Sequence, residues 1–271
     1  MLIIRKEQMA ALEAASMRAF EVRTYRHLEQ YFPRHCLLLG KEGMLSVIRL
    51  GCRKAEIYGF TAECCVRSYI EFMCLLGSHF DNDPLLPWAG AVLREETGRY
   101  QIARGDRLYD MIWDYVDHIA QDYREATGEP TTSRFVGELR NLRNLSDFAP
   151  MAYRFPVFAD SLQLRIAILF PRKAELVGGD SIRNLIDRAC KSAEMQGIRG
   201  ERGIVSFAWL MFVLGSGFAD DPLLPWARAS LSNAALATET ERLNKLYTEG
   251  VRFLRGWWDA APRREARDVR G

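Results

Sequence analysis

The sequence predicts an all-α fold made of two tandem copies of one four-to-five-helix bundle. Three observations predict it. Apolar residues recur at helical spacing in segment after segment, and no stretch alternates with a period of two as a half-buried strand would. The cores of the two halves also align at an offset of 138 residues without a gap. Finally, Asp83-Pro84-Leu85-Leu86-Pro87-Trp88-Ala89 recurs as Asp221-Pro222-Leu223-Leu224-Pro225-Trp226-Ala227 at all seven positions. A run with two prolines and a tryptophan does not repeat at a fixed offset by accident. The same offset brings Phe32-Pro33-Arg34 onto Phe170-Pro171-Arg172, Gly40 onto Gly178, Cys52 onto Cys190, Gly59 onto Gly197, and Leu76-Gly77-Ser78 onto Leu214-Gly215-Ser216.

The expected elements follow in order. Met9, Leu12, Phe20, Leu28, Tyr31 and Phe32 mark one face of a long first helix, which Pro33 should stop. Met44, Val47, Ile48, Gly51 and Ala55 recur at i, i+3, i+4, i+7 and i+11, and Ile182, Leu185, Ile186, Ala189 and Ala193 keep the pattern. Gly59 and Gly197 suit helix ends in the left-handed region. Thr61 is the expected N-cap of the third helix, with Glu63 at its positive end. The stripe Val66, Tyr69, Ile70, Met73, Cys74 is matched by Ile204, Phe207, Ala208, Met211, Phe212. A last helix carries Leu108, Ile112, Tyr115 and Ile119, matched by Leu246, Phe253 and Trp257. The expected organisation is a first module over 1–126, a linker over 127–138, a second module over 139–261 and a polar tail over 262–271. Gly128, Pro130 and the four hydroxyl residues Thr127, Thr131, Thr132 and Ser133 break the periodicity at the boundary.

Composition restricts the function classes. The formal net charge is +2, from 37 basic and 35 acidic side chains. Such a balance provides no strong field for nucleic acid or anionic lipid. No apolar run is long enough to span a bilayer, and four apolar residues at the N-terminus fall short of a secretory h-region, so a cytoplasmic protein is expected. Six cysteines, five in the first half and one in the second, do not suit a disulfide framework shared by two copies.

Several groups could carry chemistry. Asp81-Asn82-Asp83 resembles the start of a calcium loop, but the second copy has Ala219-Asp220-Asp221, and no glycine and distal glutamate follow at the required spacing. Cys64-Cys65 lies near a helix start, where thiolates are stabilised; the second copy has Arg202-Gly203. Phosphate-loop, dinucleotide, zinc-protease and nucleophile-elbow motifs do not occur. Acid pairs such as Asp114 with Asp117 read as solvated helix faces. No catalytic residue, cofactor or metal is expected. In the repeated motif, Asp83 is expected to cap a short helix with Pro84 at its first position, while Leu85, Leu86 and Trp88 plug the bundle. Its exposed parts are the expected partner surface: Phe80, Asp83, Leu85 and Trp88 in the first copy, Phe218, Asp221, Leu223 and Trp226 in the second, joined by Trp258 beside Arg255 and by the cleft between copies.

The order Tyr31-Phe32-Pro33, Leu38-Leu39-Gly40, Tyr58-Gly59-Phe60-Thr61-Ala62-Glu63, Leu76 to Pro84, Leu86-Pro87-Trp88-Ala89 and Arg107-Leu108-Tyr109 carries a resemblance. It resembles the small helical proteins encoded beside spike, PAAR and polymorphic-toxin genes of type VI secretion systems. Those usually hold one such module. The second copy departs from the pattern at Gln196, Arg199 and Ala219. The resemblance implies a non-enzymatic interaction protein, an adaptor or chaperone binding a secreted effector or spike component. The alternatives are an immunity protein that blocks a cognate toxin, and an enzyme whose site is scattered through the sequence.

Overall fold

A computed structural model describes residues 6–95, 100–122, 155–236 and 238–259. Among the described residues it holds eleven α-helices and one 3-10 turn, and no strand. The expected linker 127–138 and tail 262–271 lie outside the described residues, as does the side chain of Trp258.

In the first half, α1 (Lys6–Tyr31) hands over at Phe32 to α2 (Pro33–Ile57), as the proline requires. α2 kinks at Gly40, where φ is 65° and ψ 175°. Then come α3 (Glu63–Leu76), the 3-10 turn Phe80–Asn82, α4 (Pro87–Leu93) and α5 (Gln101–Asp122). The second half has α6 (Phe155–Leu169), α7 (Pro171–Val177), α8 (Gly179–Met195), α9 (Glu201–Leu214), α10 (Pro225–Leu231) and α11 (Glu239–Asp259). The offset of 138 carries α3 onto α9 and α4 onto α10 residue for residue. It also carries the Gly40 kink onto Gly178, the break between α7 and α8, where φ is 78°.

The stripes read from the sequence fill both interiors. Met44, Val47, Ile48, Gly51 and Ala55 of α2 are buried, as are Ile182, Leu185, Ile186, Ala189 and Ala193 of α8. Tyr69, Ile70, Met73 and Cys74 of α3 are buried, matched by Phe207, Ala208, Met211 and Phe212 of α9. Where one half is large at a contact, the other is small. Cys65 of α3 lies close to Gly105 of α5, while their counterparts are Gly203 and Leu243. Ile112 corresponds to Gly250, which lies under the Trp226 ring: a Cβ there would sit 3.2 Å from the indole.

Two local expectations are corrected. α1 buries Phe20, Thr24 and Leu28, at four-residue spacing, whereas Met9, Leu12 and Tyr31 are at least half exposed. The helix is about 39 Å long, and residues 8–19 are exposed wherever burial is described; α2 and α3 cover only its second half. Thr61 does not cap α3, whose N-cap residue is Ala62 with no side-chain cap of its own. The cap comes from 40 residues away. Gln101 Oε1 accepts from the backbone N–H of Thr61 and Ala62 at 2.8 and 2.9 Å, and the Glu239 carboxylate accepts likewise from Arg199 and Gly200 at 3.0 and 2.9 Å. Gln101→Ala should therefore cost about 1 kcal/mol and Gln101→Glu little, as read from urea midpoints.

The first half also carries buried charge that the second lacks. Glu21 accepts two hydrogen bonds from Arg49, at 2.8 and 2.9 Å, which hold its carboxyl below the usual range. Lys54 donates to Asp81 at 2.7 Å, and the Tyr58 hydroxyl donates to the same carboxylate at 3.0 Å. Burial and the Asp81 charge push the Tyr58 phenol up to about 12. The counterparts of Glu21, Lys54, Tyr58 and Asp81 are Ala159, Ser192, Gln196 and Ala219.

Candidate functional site at the seam between the two halves

The repeated motif does not face outward. α3 and α9 each end at a glycine in the left-handed region, Gly77 with φ 94° and Gly215 with φ 99°. The two helix ends approach so closely that a Cβ on Gly77 would stand 3.1 Å from the Leu214 carbonyl oxygen, and one on Gly215 3.2 Å from that of Leu76. Glycine is needed at both places, for the conformation and for the approach.

The carboxylates join the halves reciprocally. Ser78 N–H donates to Asp221 Oδ2 at 2.7 Å, and Ser216 N–H donates to Asp83 Oδ2 at 2.7 Å. The other oxygen of each carboxylate accepts from the backbone two residues on, Leu85 N–H and Leu223 N–H, both at 2.8 Å. Asp83 and Asp221 are 4% and 3% exposed. A carboxylate suits the position because it offers two acceptors to two buried amide donors and has no donor of its own. The expectation that Asp83 caps a helix starting at Pro84 is corrected. α4 starts at Pro87, and Asp83 instead closes a turn over Pro84-Leu85 while reaching into the other half.

Around this pair the symmetry gives way to complementary differences. His79 and Gly217 are equivalent positions, and the His79 ring lies where a Cβ on Gly217 would be, 2.4 Å from Cγ and Cδ2. Arg188 of α8 donates to the Asn82 carbonyl at 2.6 Å and to Ser216 Oγ at 3.2 Å. Burial, with the charges of Lys54 and Arg188, holds His79 below the usual imidazole range.

The seam leaves a cleft of about 400 Å³, walled largely by apolar side chains such as Leu76, Leu86, Leu214 and Leu224, with α5 and α11 supplying Tyr115 and Phe253. At one side Lys173 donates to the Phe212 carbonyl, its ammonium 4.5 Å above the Phe212 ring. Its counterpart His35 hydrogen-bonds to the backbone of Cys74. Burial, with Arg34 nearby, holds His35 down at about 4, against the pull of that hydrogen bond. Because the folded chain resists protonation there, His35 detracts nothing above pH 6.5 and increasingly destabilises the fold as pH falls from 6.5 toward 4. Wild type should lose about 2–3 kcal/mol more than His35→Gln between pH 7 and 4.5, at roughly 1.4 kcal/mol per pH unit, in paired urea titrations.

The structure redistributes the residues expected to meet a partner. Phe80, Asp83, Leu85, Phe218, Asp221 and Leu223 are buried within the chain itself. Phe80 packs on Tyr69 with ring centroids 5.0 Å apart, and Phe218 on Phe207 at 5.2 Å. Asp83, Leu85, Asp221 and Leu223 line the seam cleft, whereas Phe80 and Phe218 belong to the interiors of their own halves. Trp88 and Trp226 are half-buried and do not plug the bundle. They lean on equivalent rings, Tyr115 at 5.9 Å and Phe253 at 5.7 Å. Trp88 borders a recess of about 260 Å³ between α5 and α7, which reaches Leu176. Sequence reasoning missed His35, Lys173 and Gly217. The only signal for them was position, since each is the odd member of an otherwise matched pair. Among the described residues no three His, Cys, Asp or Glu side chains are placed to hold a metal, and Asp81 of the calcium-like run is engaged by Lys54 and Tyr58.

No protein-family model, curated protein or solved structure matches the chain. Among the described residues no helix is long and apolar enough to cross a membrane.

Proposed function

We propose that the chain is a tandem duplication of one helical module and acts as a non-enzymatic interaction protein. In this reading it is an adaptor or chaperone that holds an effector or spike component of a type VI secretion system in the cytoplasm before export. The secretion context rests on the resemblance carried by the Tyr58–Glu63 and Leu76–Ala89 runs.

The observation that carries the binding role is the reciprocal seam. Asp83 and Asp221 tie the halves through buried hydrogen bonds, which favours a single body over two modules on a tether. A single body presents a fixed groove to a client, so little ordering entropy is lost on binding. The seam cleft and the Trp88 recess are that groove, with walls drawn from both halves. Apolar walls with a few polar groups suit an extended apolar segment of a client.

Leu176 is 44% exposed and lines the recess, so Leu176→Arg leaves the core intact. Capture of the product of the adjacent gene, co-expressed with the full chain, is expected to fall at least tenfold for Leu176→Arg at unchanged melting temperature. Equal capture by both, or no retained partner with wild type, contradicts the proposal. Rescue of cells that express the toxin alone would point instead to an immunity protein.

A further inference from the structure

The seam leaves one pair of nucleophilic side chains unused. Cys64 and Cys65 occupy the first turn of α3, and their sulfurs stand 3.9 Å apart. Cys64 is exposed and Cys65 is 6% exposed. Two thiolates on one tetrahedral soft metal, with bonds of about 2.3 Å, stand about 3.8 Å apart. The pair therefore already has the bite of a chelating dithiol, with an open approach on the Cys64 side. Neither half of the fold depends on both sulfurs. The counterparts are Arg202 and Gly203, and only Cys65 fills space against α5, close to Gly105.

We propose that Cys64 and Cys65 form a bidentate site for thiophilic centres that accept two thiolates, of which trivalent organoarsenicals are the simplest. The condensation balances without an oxidant. An arylarsenic(III) oxide forms two As–S bonds, one to each Sγ. Both thiol protons leave with the arsenic-bound oxygen as one water, and no oxidation state changes. Pyramidal arsenic(III) has a narrower bond angle than a tetrahedral metal, so the product ring draws the sulfurs somewhat closer than 3.9 Å. A disulfide between adjacent residues would instead bring them to about 2.05 Å and distort the first turn of α3. The exposed thiol reacts first. The neighbouring thiol, held above its usual range by burial and by Cys64, closes the chelate at high local concentration.

The remaining cysteines serve as internal controls. Cys52 and Cys190 are half-buried; Cys36 and Cys74 are buried, near enough for the Cys36 charge to act on the Cys74 thiol, so C36S tests that neighbouring pair. The reduced full-length protein is treated with phenylarsine oxide and examined by intact mass and thiol titration. One arsenical per chain is expected, with two thiols lost. It should survive excess 2-mercaptoethanol and be stripped by 2,3-dimercaptopropanol. C64S and C65S should each abolish this adduct, whereas C36S and C52S retain it. Cys64 is exposed, so C64S keeps the fold even if C65S does not. Absence of the adduct in wild type, its persistence in C64S, or its loss in C36S would overturn the assignment.

Discussion

Replacing Asp221 by alanine is expected to destabilise the whole chain by about 3–5 kcal/mol, since two buried amide donors lose a charged acceptor at once. One donor, Leu223 N–H, is two residues away, and the other, Ser78 N–H, belongs to the opposite half. Asp83→Ala should cost a similar amount through Leu85 and Ser216. Asn is a poor substitute at either position. It keeps one acceptor oxygen and turns an NH₂ toward the second amide N–H, so donor faces donor. Urea unfolding of the single variants and of the double variant measures this. Because each carboxylate supports the approach of the same two helix ends, the double variant should lose less than the sum of the two.

Gly217→Ala is the second large effect expected, about 1–3 kcal/mol from overpacking. The new Cβ would lie 2.4 Å from two atoms of the His79 ring and 2.6 Å from the His79 Cβ, and that side chain is half-buried. His79→Gly in the same chain should return most of the loss, because it removes the ring and also the His79 Cβ, which would itself lie 2.6 Å from the new methyl. A double-mutant cycle on thermal or urea unfolding gives the coupling. A cost that His79→Gly leaves unchanged would place the strain in the Gly217 backbone.

Elements whose cores are local were readable from the sequence. The α2 and α8 stripes, the stop of α1 ahead of Pro33 and the glycine ends at Gly59 and Gly197, both with φ 70°, depend on residues a few positions apart. What the sequence hid depends on the other half of the chain. Asp83 reads as a local cap because aspartate before proline usually is one, and its second oxygen finds Ser216 only after folding. The α3 cap comes from Gln101 and the α9 cap from Glu239, each about forty residues on. Met9 and Leu12 share the apolar periodicity of Phe20 but lie beyond the reach of α2 and α3. The same logic bears on the expected partner surface, six of whose residues are buried within the chain, with Asp83 and Asp221 hydrogen-bonded across the two halves.

Amide hydrogen exchange of wild type and Asp221→Ala tests this seam most directly. If the two halves are one body, the variant loses protection at Ser78 and through the C-terminal turn of α3, 143 residues from the substitution, as well as around Leu223. Loss confined to residues near 221, with α3 unchanged, would contradict it.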